Sequence, residues 1–213
     1  MNKINGMRQL FAALTGIIQI AAPAAGWCGA QKYEPLSASV QATLNRAIAE
    51  QAVPVIAFDD EQEARAWLGA MSPRLAKRMP ERVAREEFLL TVHYEAKRAG
   101  LDPQLVLGLI QVESAFRKYA VSSAGARGFM QVMPFWSKLI GTAEHNLFHL
   151  RTNLRYGCVI LRHYLDIENG NLFRALGRYN GSLGKAEYPD LVLRAWHGNW
   201  RYTPPAPRAA VLQ

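Results

Sequence analysis

Cysteine is almost absent from these 213 residues: Cys28 and Cys158 are the only two. A disulfide framework is therefore excluded as what holds the protein together, and a packed core must do so. Sustained alternation of apolar and polar residues, the mark of a half-buried strand, is missing too, whereas helical spacing recurs along the chain. Runs of Lys and Arg and RNA-binding aromatic motifs are lacking, so the net charge of +8 does not mark a nucleic-acid binder, and no nucleic acid partner is expected. No phosphate-cradling loop and no Ser/His/Asp set stands out. What remains, 50% hydrophobic and 20% charged residues, is the composition of an ordinary globular protein.

Long apolar runs are also scarce, with one exception. Lys3 and Arg8 precede a run from Leu10 to Ala25 that small residues follow, the pattern of a secretory signal peptide over residues 1–30. Cleavage fits after Ala24 or after Ala30. Pro23 and Gln19 interrupt a run already short for a bilayer-spanning helix, and Trp27 is large where lipoprotein processing at Cys28 would need a small residue. A periplasmic location is expected. Loss of residues 1–30 removes Lys3, Arg8 and no acid, so the charge falls from +8 to +6. A basic exported protein suits an acidic cell-envelope polymer. Cys158, on an apolar helical pattern, is expected to be an inert buried thiol.

Helical signals fill the rest. Ser37 can cap a segment with Val40, Leu44 and Ile48 on one face, and Asp59 or Asp60 another with Ala64, Trp67, Leu68 and Met71. Ser72-Pro73 is expected to start a short third turn. Phe88, Val92, Ala96 and Ala99 mark one face of a helix over about 81–99 that Gly100 stops. Asp102-Pro103 is a cap followed by proline at the first helical position, so a helix runs from Pro103 to about Ala115. Residues 121–128 read as a loop, and 129–140 as a helix interrupted or restarted at Pro134. Helices over 152–168, 171–179 and 188–196 follow, then a loose tail over 203–213. The fold class is all-α: residues 31–80 form an N-terminal helical extension and 81–202 the main domain.

The most informative absence is acidic. From Ser114 to Ala143 there is neither Asp nor Glu, although Arg117, Lys118 and Arg127 lie there. The stretch begins just after Glu113, which continues the line of Val106 and Ile110, beside the stripe of Leu105, Leu109, Val112 and Phe116. Glu113 thus takes a position that the pattern reserves for an apolar residue. Apolar surroundings and the negative helix end both raise a carboxyl pKa, keeping a general acid protonated. A bland alternative is a helix-end glutamate paired with Arg117 at i+4. Most glycoside-cleaving enzymes need two carboxylates; one suffices where the substrate supplies its own nucleophile.

Three motifs bear on this choice: Glu113-Ser114-Ala115-Phe116, Gly128-Phe129-Met130-Gln131-Val132-Met133-Pro134 and Tyr179-Asn180. Their order and spacing resemble those of lytic transglycosylases of the soluble-lytic-transglycosylase type, which share a fold with goose-type lysozymes. The resemblance spans about residues 83–197 and implies a cofactor-free, lysozyme-like enzyme acting on peptidoglycan glycan strands. By resemblance, Glu113 is the acid and then the base, and the sugar's own 6-hydroxyl attacks the anomeric carbon to give a 1,6-anhydro end. Ser122 would contact the acid and the sugar, Gln131 and Met133 would line the groove, and Tyr179 with Asn180 would position the acid and an N-acetyl group. Met130 and Val132 are assigned to the core.

Two departures from the family pattern stand out: Arg117-Lys118, where Asn-Pro is common, and Arg178, where Ala is usual. Arg117 and Lys118 are expected to meet carboxylates on the peptide stems of the glycan. A hydrolytic muramidase and a non-catalytic wall-binding scaffold are the alternatives. His145 and His149 have i, i+4 spacing but lack a third ligand, so no metal is expected. Trp136, Trp196 and Trp200 are open to sugar stacking or to core packing. A monomer is expected, with residues 31–80 open to two roles, buttressing the core or recruiting an envelope secretion or pilus machinery as partner.

Overall fold

The computed structural model describes residues 31–49 and 61–204; the signal-peptide expectation, Cys28, the Asp59/Asp60 cap and most of the 203–213 tail lie outside them. Among the described residues eight α-helices and no strand occur, so the fold is all-α. No helix among them is long and apolar enough to cross a membrane. The helices are α1 (Ala38–Ala49), α2 (Glu61–Leu75), α3 (Arg82–Arg98), α4 (Pro103–Ser114), α5 (Pro134–Ile140), α6 (Leu150–Ile167), α7 (Leu172–Asn180) and α8 (Glu187–Ala195), which runs into a wider π-type turn over Trp196–Trp200.

Local chemistry sets most boundaries. Ser37 Oγ accepts from Val40 N–H (3.3 Å), Glu81 from Val83 and Ala84, and Asp102 from Gln104 and Leu105, each satisfying amides that a helix start leaves open. α4 is the central helix. Leu105 to Ile110 are all buried along it, and a helix apolar on every side belongs inside. It packs on α3, α8 and the π-type turn. Gly108 makes the last approach possible, because a Cβ there would lie 2.9 Å from the Trp196 backbone nitrogen. α6 packs on α3 and α7, and α1 lies against α5 and α6.

Two expectations are corrected. α2 does not stop before Pro73 but continues to Leu75: Leu75 is fully buried, and Arg85 Nε donates to Ser72 Oγ (2.7 Å), so packing on α3 outweighs the proline. Residues 129–133 are not helical. Arg127 and Val132 exchange two backbone hydrogen bonds of 3.0 Å, Gln131 has a left-handed φ of 48°, and the helix begins only at Pro134.

Cys158 is fully buried, and burial pushes its thiol pKa well up. Trp136 and Trp200 are core residues, 2% and 1% exposed, while Trp196 is half-buried and stacks on His197. His145 Nδ1 bonds Tyr156 Oη (2.7 Å), whereas His149 stands at the start of α6.

Candidate active site

The site grows from the end of α4. Ala115 and Phe116 both take left-handed φ values, 49° and 65°, so the helix stops at Ser114 and Arg117 is not one turn beyond Glu113. Arg117 Nε turns instead to the Ser114 carbonyl (3.0 Å). Glu113 is 4% exposed. Tyr188, at the start of α8, donates its hydroxyl to Glu113 Oε1 (2.5 Å). Tyr188 is fully buried; burial first, and the Glu113 charge second, push its pKa well above the ordinary tyrosine value. The phenol therefore stays a donor, and the Glu113 oxygen facing it is an acceptor. A carboxylic acid arranged this way carries its proton on the other oxygen.

The acid-free segment folds as a loop that α6 fastens. Asn153 Oδ1 accepts from Met130 N–H (2.8 Å), and its Nδ2 donates to the carbonyls of Arg127 (2.8 Å) and Leu147 (2.8 Å). Gly128 opens this motif because its φ is 76° and a Cβ would lie 2.6 Å from the Leu147 oxygen. Met130 and Val132 are fully buried, as their core assignment requires.

The remaining sequence-predicted residues divide. Ser122, 7% exposed, accepts from Ala126 N–H at its Oγ (3.0 Å) and closes the loop while retaining its own proton. Gln131 is 1% exposed, and its side-chain amide donates to the carbonyls of Gly128 (2.8 Å) and Ala120 (3.1 Å), so the side chain holds the loop from within. Met133 is half-buried at the start of α5. Tyr179 is fully buried and donates to the Met130 carbonyl (2.7 Å), which puts it beneath the motif loop. Burial, then the Glu113 charge, raise its pKa strongly. Asn180 Nδ2 donates to Ser182 Oγ (3.0 Å), and its buried Oδ1 has no hydrogen-bond partner among the described residues.

Tyr188, Asn153 and Gln31 were missed from sequence. Gln31, 3% exposed, donates from Nε2 to the Gln131 carbonyl (3.3 Å) and accepts at Oε1 from Met133 N–H (3.1 Å). Asn153 alone left a signal, an amide in line with Leu150, Gly157 and Ile160 at helical spacing on α6. A cavity of about 680 Å³ lies elsewhere, between α3, Phe116, Lys118, Phe129 and the start of α6, and Glu113 does not line it. Among the described residues no cluster of three His, Cys, Asp or Glu side chains is placed to hold a metal ion.

Residues 91–188, which include Glu113, the motif loop and Tyr188, match the transglycosylase SLT domain model. A membrane-bound lytic murein transglycosylase C of Actinobacillus pleuropneumoniae is 52% identical over 52 residues, 24% of this chain and 14% of that protein. The transglycosylase of Enterobacteria phage PRD1 is 34% identical over 111 residues, 49% of this chain and 41% of that one. This chain thus spans less than half the length of either relative. Lytic transglycosylase Slt from Pseudomonas aeruginosa, solved as an inactive mutant, aligns at a TM-score of 0.41 and 18% identity, covering 76% of this chain and 40% of that one. Over residues 91–188, the helical body built around Glu113 is similar to the transglycosylase SLT domain.

Proposed function

We propose that this protein is a peptidoglycan lytic transglycosylase that cuts the β-1,4 bond from N-acetylmuramic acid to N-acetylglucosamine without water. The observation that carries this function is the buried carboxyl of Glu113, hydrogen-bonded by Tyr188 inside the stretch similar to the SLT domain. Glu113 gives its proton to the glycosidic oxygen as the bond to the anomeric carbon breaks. The resulting carboxylate takes the proton of the muramic acid 6-hydroxyl as that oxygen bonds to the anomeric carbon. One proton leaves and one returns, and the product is a 1,6-anhydro end.

Around this step, Asn180 Oδ1 is a buried acceptor suited to a sugar N–H or hydroxyl, and Ser122 keeps a proton to donate. Met133 offers an apolar contact. Gln131 contributes through its main chain, and Tyr179 positions the loop without touching sugar. Arg117 and Lys118, both exposed, meet carboxylates of the peptide stems; reversing both charges should weaken binding and flatten its salt dependence, and an unchanged salt slope would remove them from the site. The protein acts in the periplasm after export through residues 1–30, as a monomer, with residues 31–80 as a helical extension open to an envelope secretion or pilus machinery.

Mass spectrometry of fragments released from peptidoglycan tests the chemistry. Anhydro ends, lighter by one water than reducing ends, are expected from the protein and not from Glu113→Gln. Reducing ends would identify a hydrolytic muramidase, and glycan binding without fragments a scaffold.

A further inference from the structure

Residues 31–36 form no helix or strand before α1, and Lys32 to Pro35 are exposed, yet Gln31 is 3% exposed. Its carboxamide reaches 100 residues along the chain to the motif loop, giving one N–H to the Gln131 carbonyl and taking one from Met133. It also lies close enough to the Tyr179 hydroxyl to oppose that group's upward pKa shift. A planar amide that presents one donor and one acceptor to two main-chain groups is the chemistry of an N-acetyl substituent. The same segment is clipped to both sides of the loop. Tyr33 sets its ring edge-on to Phe135 of α5, 5.7 Å between centroids, and Glu34 pairs with Arg178 of α7 (3.2 Å). The Arg178 guanidinium thus joins Glu34 of the segment to Glu168 at the end of α6.

We propose that residues 31–36 are a strap whose Gln31 carboxamide occupies the place of a substrate N-acetyl group, so that glycan enters when the strap lifts. The proposal rests on assigning the motif loop to glycan binding. The fastenings are weak enough to release. One amide is buried, one ring contact is made, and the Glu34–Arg178 pair is part-exposed, a kind of pair that salt screens. A closed fraction lowers apparent affinity by the share of open molecules.

Titration of the full chain with tri-N-acetylchitotriose tests this. Gln31→Ala should bind about five- to tenfold more tightly than the parent, the scale of two net hydrogen bonds in competition with the ligand, and Glu34→Ala about twofold more tightly. KM for glycan strands should fall by matching factors at unchanged kcat. Equal or weaker binding by Gln31→Ala would overturn the proposal by making Gln31 a structural or ligand-holding residue. A second variant guards against misfolding: Tyr33→Ala removes the ring contact to Phe135, leaves the Gln31 amide in place, and should bind chitotriose about twofold more tightly. Equal or weaker binding by this variant would equally overturn the strap. Tighter binding by Gln31→Ala with no fragment released by any form would retain the strap and reject the transglycosylase function; anhydro fragments with unchanged affinities would do the reverse.

Discussion

Two buried glutamates divide the molecule's tasks. Glu95 on α3 is fully buried and set among guanidinium groups, with Arg155 at 2.9 Å, Arg98 at 3.1 Å and Arg151 at 3.9 Å. Arg98 and Arg155 also donate to the carbonyls of Ala47 (2.7 Å) and Ile48 (3.4 Å) at the end of α1. This cluster ties α1, α3 and α6 together. Glu113 is nearly as buried, but its hydrogen-bonded neighbour is a phenol whose proton stays in place. Burial alone thus does not define a catalytic acid. Three arginines tie the Glu95 carboxyl into the structure, whereas the phenol donor at Glu113 suits the acid proposed for it.

The sharpest test exchanges the two acids' fates. Glu113→Gln should lower fragment release by about a thousandfold or more, with an unfolding midpoint close to the parent's. Glu95→Gln should do the opposite: removing the charge common to three guanidinium groups should cost about 3 kcal/mol of stability, read by denaturant unfolding, while activity per folded molecule persists. If Glu95→Gln abolished turnover in a fully folded protein, the division between the two sites would fail.

How much of this contrast was legible depended on distance along the chain. Asp102-Pro103, Gly100 and Asn180-Gly181 act through neighbours within a few residues, and the helix boundaries they predict are found. Glu113 could be singled out because it broke an apolar line within its own helix. Tyr188 could not, since its contact spans 75 residues and depends on how α4 crosses α8. Gln31 was hidden for the same reason. Where local and distant signals conflicted, the distant ones won. Asn153, on α6, holds the 128–131 turn out of the helix its own pattern favours, and the Arg85–Ser72 bond with the burial of Leu75 carries α2 past Pro73.

Tyr188→Phe probes the phenol directly. It keeps the ring that fills the space between α4 and α8 and deletes the donor to Glu113 Oε1. We expect kcat to fall about tenfold, of the order of one hydrogen bond to a charged group, at unchanged KM. A matching drop with Tyr179→Phe would show that the two phenols are not distinguished by their contacts, one to the acid and the other to the Met130 carbonyl.

The smallest effect lies beside the structural acid. His93, two residues before Glu95 on α3, is 3% exposed and packs against Trp67, 5.0 Å between ring centroids. Burial first, and the Lys97 charge second, lower its pKa to about 4 from 6.5. The unfolded chain therefore takes up this proton before the folded one does. Its contribution to stability is whole above pH 6.5, falls as the pH drops from 6.5 towards 4, and levels off below. Over that window the parent should lose about 1–2 kcal/mol more than His93→Phe, once screening by nearby solvent is allowed for. Equal acid sensitivity in the two proteins would remove His93 from the acid response and move the loss to other groups.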